Sequence, residues 1–93
     1  MSDTSEQQAE LERWVIEQCR GLKLQIGAAG DDIFDAGATS LTVIRLVARA
    51  ESEFGAEVLS PDDIIEFSSV HGIASRIRGN MTDAGAPAGE RQV

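Results

Sequence analysis

Ser40 is the residue in this chain best placed to do chemistry. Gly37 stands three positions before it and Asp35 five, and a helical pattern opens at Ser40 itself. A hydroxyl at a helix start meets unpaired backbone N–H groups and positive potential, which together favour an attached phosphate. Gly37 lets the chain turn tightly before the helix. Asp35 is near enough to orient that turn, or to hold a metal ion while the serine is modified. The local pattern therefore permits a phosphate ester on Ser40. It is equally the pattern of a plain helix-start serine, and taken alone it favours that reading.

The other reactive side chains do not assemble into a catalytic set. His71 is the single histidine and Cys19 the single cysteine. His71 falls in the first turn of the last helical pattern and reads as a solvated surface residue. Cys19 lies on an apolar helix face and reads as a buried, inert thiol. One cysteine makes no intrachain disulfide and no cysteine-based zinc site. Asp31 and Asp32 could join Asp35 around a cation, but acids in a loop before a helix are mostly solvated. No catalytic residue and no resident metal is expected, so the chain reads as a non-enzyme.

These residues need elements to position them. Leu11, Trp14, Val15, Cys19 and Leu22 share one face of a first helix, from about Glu6 to Leu22. Trp14 reads as a core anchor. A long loop rich in glycine and aspartate follows, with Ile26, Ile33 and Phe34 available to pin it to the core. Loops of this length in small domains are often functional. The second helix runs from Ser40 to Phe54, with Thr39 as its N-cap and Gly55 as its stop. A short helix over Pro61 to Phe67 has proline at its first position and Asp62 and Asp63 at its positive end. Val70, Ile73, Ala74 and Ile77 mark the last helix, which Gly79 can end. No strand pattern competes. The fold class is all-α: a small four-helix bundle, three longer helices and one short, with a long loop between the first and second. Residues 1–5 and 80–93 read as disordered ends around one domain over residues 6–79.

The second helix is apolar on two sides. Val43, Leu46, Val47, Ala50 and Phe54 form a core stripe at 100° per residue. Leu41 points away from that stripe and Ile44 lies at its edge, with Arg45, Ala48 and Arg49 beside them. An outward apolar patch rimmed by charge fits a docking surface. Single exposed leucines are also commonplace. In the short helix, Ile64 and Ile65 suit core packing, with Ile65 as a second contributor to the docking face.

The 93 residues suffice for one small domain, and 16 acids against 8 bases give a net charge of −8. Nucleic acid and anionic lipid surfaces repel such a chain, whereas basic partners suit it. The start is polar and acidic, unlike a signal peptide, and no apolar run is long enough to span a bilayer. A monomer in the reducing cytoplasm is expected. The starting methionine and loose ends suggest a free-standing chain, and a domain cut from a synthetase with an added methionine would look similar.

The motif Asp35-x-Gly37-x-x-Ser40-Leu41 resembles that of the acyl and peptidyl carrier proteins. The downstream sequence keeps their order: Glu53-Phe54-Gly55, then Pro61-Asp62-Asp63-Ile64-Ile65, then Val70-x-x-Ile73-Ala74. The resemblance covers most of residues 8–78 and implies a four-helix bundle. It implies that Ser40 receives 4′-phosphopantetheine from coenzyme A through a magnesium-dependent phosphopantetheinyl transferase, with Asp35, Gly37 and Thr39 around the site. The arm ends in a thiol that holds cargo as a thioester, and the thiolate leaves more readily than an alkoxide because a thiol pKa is about 8.5. Tethering raises the effective concentration of cargo at each partner. Implied partners are an adenylating or acyl-loading enzyme and condensing or tailoring enzymes. Fatty-acid and polyketide carriers usually have Asp before the serine and peptidyl carriers His; Thr39 follows neither habit. The stretch VIRLVARA, with Arg45 and Arg49 outward, is similar to peptidyl carriers of nonribosomal peptide and antibiotic biosynthesis. An acyl carrier, or an unmodified helical adaptor, are the alternatives.

Overall fold

The structure is a computed structural model and describes residues 3–85. Four helices follow one another: α1 (Asp3–Gly21), α2 (Ser40–Phe54), α3 (Pro61–Glu66) and α4 (Val70–Gly85). Among the described residues there is no strand, only an isolated antiparallel bridge between Asp32 and Ser69. This is the all-α four-helix bundle that the apolar periodicity predicts, with a long loop joining α1 to α2.

Each helix buries one stripe. Leu11, Val15 and Cys19 recur every fourth residue of α1 and are buried, as are Ile73, Ala74 and Ile77 of α4, the helix on which α1 chiefly packs. Val43, Leu46 and Ala50 do the same for α2, and Ile64 for α3. Burying a side chain of this size contributes about 1.5–3 kcal/mol. Trp14 and Phe54 pack against the core, their rings meeting edge-on at 4.8 Å and 67°. Segments without periodicity complete it: Leu24, Ile26 and Ile33 from the first loop, Val58 and Leu59 from the link between α2 and α3.

Both outer helices run further than their patterns predict. Residues 3–5 and 80–85 are helical where the sequence suggests loose ends. Gly79 does not stop α4, because tertiary contacts carry the helix past it. Asn80 Nδ2 donates to the Val58 carbonyl at 2.9 Å, and Met81 packs on the core. A helical glycine costs only about 1 kcal/mol relative to alanine, which such contacts offset. The expectation of disorder at residues 1–2 and 86–93 lies outside the described residues.

Two surface assignments change as well. Phe34 is 39% exposed rather than a pin into the core. Ile33 donates its N–H to the Ser68 carbonyl at 2.9 Å and takes the inward side, so its neighbour faces out. His71 is exposed but not merely solvated: its Nδ1 lies 2.6 Å from Glu12 Oε2, tying α4 to α1.

Candidate functional site at the start of helix α2

Thr39 caps α2, and this relieves Ser40 of that task. The Thr39 hydroxyl accepts from Thr42 N–H at 3.3 Å, and Thr42 Oγ1 accepts from Thr39 N–H at 3.1 Å. This reciprocal pair is a capping box built from two threonines. Ser40 is the first residue inside the helix and is exposed. Its hydroxyl bonds to no described group, and the N–H groups of Ser40 and Leu41 are likewise without a protein partner among the described residues. An exposed hydroxyl beside open N–H donors at the positive helix end fits a phosphodiester.

The loop before Ser40 is fixed by its own acids. Asp32 Oδ1 accepts from Phe34 N–H at 2.8 Å and from Asp35 N–H at 3.2 Å. Its second oxygen accepts from the Ser68 hydroxyl. Asp31 Oδ2 accepts from Gly27 N–H at 2.9 Å and Ala28 N–H at 3.1 Å. Backbone bonds then fasten the loop to the α3–α4 junction: Val70 N–H to Asp31 O at 3.0 Å and His71 N–H to Ala29 O at 2.8 Å. The final turn closes with Ala38 N–H donating to Ile33 O at 2.9 Å. Gly37 sits in that turn at φ 110°, where any side chain would strain the backbone.

The electrostatics follow the bonding. The Ser68 hydroxyl and the two backbone N–H donors hold the Asp32 carboxyl below its ordinary pKa. Glu12 is also held low, by the Gln8 side-chain hydrogen bond first and by His71 second. Burial pushes the Cys19 thiol up to about 11, as an inert core cysteine requires. Asp35 is exposed and lines a polar cleft with Gln25, Asp31 and Asp32; Ser40 is not part of that lining. With Asp31 and Asp32 occupied by the loop, no group of three or more His, Cys, Asp or Glu gathers as a metal site among the described residues.

Beyond Ser40, α2 presents Leu41, Ile44, Arg45, Ala48 and Arg49 to solvent. Leu41 is 55% exposed, Ile44 57% and, on α3, Ile65 64%. Ile64, next to it, is fully buried, so the two isoleucines divide between core and surface. Leu41, Arg45 and Arg49 share a groove with Leu22 and Lys23 at the end of α1. Arg49 leans toward α1 and donates from Nη1 to Gln18 Oε1 at 3.0 Å.

The exposure of three further residues is not apparent from sequence reasoning. Lys23 follows α1 in a left-handed conformation, φ 74°, and its approach to α2 is a purely tertiary event. Phe34 and Phe67 are each 39% exposed. The Asp32–Ser69 bridge and the Ile33–Ser68 bond pair the two backbone segments that carry them. Arg76 lies over the Phe67 ring at 5.4 Å from its centroid.

Comparison with protein-family models matches residues 17–77, well over half of the chain, to the family described as the phosphopantetheine attachment site. Comparison with curated proteins gives no match, nor does comparison with solved structures. Among the described residues no helix is long and apolar enough to cross a membrane. A four-helix bundle offering an unengaged serine at a helix start, within the matched span, is what a carrier needs: a stable body with one reachable hydroxyl. The chain belongs to the phosphopantetheine attachment site family and is a phosphopantetheine-dependent carrier protein.

Proposed function

We propose that Ser40 is the attachment point of the 4′-phosphopantetheine arm and that the cargo is aminoacyl or peptidyl, in nonribosomal peptide or related natural-product biosynthesis. The observation behind the first part is that Thr39 and Thr42 cap α2 between them, leaving the Ser40 hydroxyl exposed at the first helical position. The N–H groups of Ser40 and Leu41 are placed to meet the ester oxygens. Gly37 and Asp32 hold the turn that presents the serine, and Asp35 stands exposed on the same loop. When bound, the arm supplies a thiol that holds cargo as a thioester. The protein contributes position and tethering, while bond making belongs to its partners.

The second part rests on the outward side of α2, where Arg45 and Arg49 stand in place of acids. Leu41, Ile44, Arg45, Ala48, Arg49 and Ile65 form the partner face in this reading. A phosphopantetheinyl transferase, an adenylating or acyl-loading enzyme, and condensing or tailoring enzymes would meet it in turn.

Intact mass tests the attachment. The purified chain is incubated with coenzyme A, magnesium and a broad-specificity phosphopantetheinyl transferase. One phosphopantetheinyl group should be added to the wild type and none to Ser40→Ala. Failure of the wild type to gain mass, or gain by the variant, overturns the assignment and leaves an unmodified adaptor. The cargo is tested on the modified chain with ATP, amino acids and adenylating enzymes, set against malonyl transfer. Malonyl loading in preference to aminoacyl loading would move the protein to the acyl branch.

A further inference from the structure

The groove between the end of α1 and the start of α2 runs against the charge of the molecule. The chain carries a net −8, yet this groove is walled by Lys23, Arg45 and Arg49, with Leu22 and Leu41 as its apolar part and Thr42 at its edge. No carboxylate lines it. The first turn of α2 contains no acid, and the acids of that helix begin only at Glu51. None of the three cations forms an ion pair with a described residue; Arg49 is held only by the neutral Gln18. Lys23 adds a further sign. It occupies a left-handed position, φ 74°, at which glycine is the residue without strain. The chain thus accepts backbone strain there and gains a positive charge at the groove.

We propose that this groove docks an acidic, amphipathic segment of a partner protein, its carboxylates on Lys23 and Arg45 and an apolar side chain against Leu41. The proposal rests on the partner-face reading above and specifies the partner's chemistry. Net charge alone gives the opposite answer, a basic partner. The groove overrides it because exposed charges are screened beyond about 10 Å at 0.1 M salt, so a docked segment senses the nearest side chains. An apolar anchor beside cations of one sign is the anatomy of a surface that selects its partner by charge. Leu41 lies next to Ser40, so a partner seated here is held beside the point at which cargo is delivered.

The test uses the full chain, isotopically labelled, and two synthetic helical peptides of equal length, one of Leu and Glu and one of Leu and Lys. The Leu–Glu peptide should shift the amide resonances of Lys23, Leu41, Thr42 and Arg45. Salt should weaken that binding, and Lys23→Glu with Arg45→Glu should reduce the affinity by about tenfold or more. Circular dichroism checks that helical content is kept, and Lys23→Ala with Arg45→Ala serves if the charge reversal does not fold. Ser40→Ala should bind the peptide as the wild type does. The proposal falls if the Leu–Glu peptide produces no shifts, if shifts appear away from the groove, or if the Leu–Lys peptide binds there equally well. It also falls if the same resonances move with the chain's own concentration alone, which would make a second copy the occupant. Peptide binding with no mass gain on Ser40 would leave the groove standing and remove the attachment site; the reverse result would do the opposite.

Discussion

Asp32 illustrates how much of the site depends on single side chains. One carboxylate oxygen orders the backbone leading to Asp35, and the other reaches across to Ser68 at the α3–α4 junction. These bonds favour the ionised form and lower the folded-state pKa from 3.8. The stabilisation is therefore present above that value and is lost as pH falls through the lower folded-state value. Asp32→Asn should cost about 1–2 kcal/mol at pH 7. The difference from wild type should shrink between pH 7 and pH 3, as acid works against the ionised form that these bonds favour. Urea midpoints at the two pH values check this, and an equal gap at both would show that the ionised carboxylate is not what holds the loop. Glu12 is depressed by its own partners, so an acid-dependent slope should remain in the variant. None of this is visible in the sequence, where Asp31, Asp32 and Asp35 look alike and solvated. Only the folded loop separates Asp31 and Asp32, which it uses, from Asp35, whose side chain it leaves exposed.

At the scale of elements, the capping of α2 makes a clean prediction. Thr39→Ala removes the acceptor for Thr42 N–H and should lower stability by about 1 kcal/mol in urea denaturation, with Thr39→Ser restoring most of it. If Thr39→Ala is as stable as wild type, Ser40 has taken over the cap and its hydroxyl is not free. The helices themselves were legible because a stripe repeating every three to four residues is a strong signal: Val43, Leu46 and Ala50 announce α2, and Val70, Ile73 and Ile77 announce α4. The motif around Ser40 was legible for the same reason of fixed spacing. What escaped lies where spacing carries no information. Leu24, Val58 and Leu59 are buried from loops, and nothing periodic marks them. The extension of α4 past Gly79 depends on a carbonyl of Val58 far away in sequence. Lys23 and Arg45 come together only when α1 lies beside α2.

The molecule as a whole is acidic but not uniformly so. Its radius of gyration, 13.1 Å, exceeds the screening length of about 10 Å at 0.1 M salt, so opposite faces present themselves separately to partners. A net charge of −8 on so small a body also repels itself. Raising the salt from low to physiological concentration should therefore raise the melting temperature by a few degrees, a shift that calorimetry reads directly. A melting temperature that falls with salt would mean that favourable local pairs, such as Arg76 with Asp63, outweigh the repulsion.

The buried thiol of Cys19 bears on how long a loaded carrier keeps its cargo. A thioester can migrate to any nearby thiolate, and a carrier with a reactive cysteine of its own would acylate itself and strand what it holds. Cys19 is fully buried and its pKa is pushed up to about 11. At pH 7 the thiolate is almost wholly suppressed, and the sulfur sits within the packed core. Cys19 is the only cysteine in the chain, so no other residue offers a competing thiol. On this count the protein does not leak: cargo leaves toward a partner's nucleophile or toward water, and not onto a thiol of its own fold.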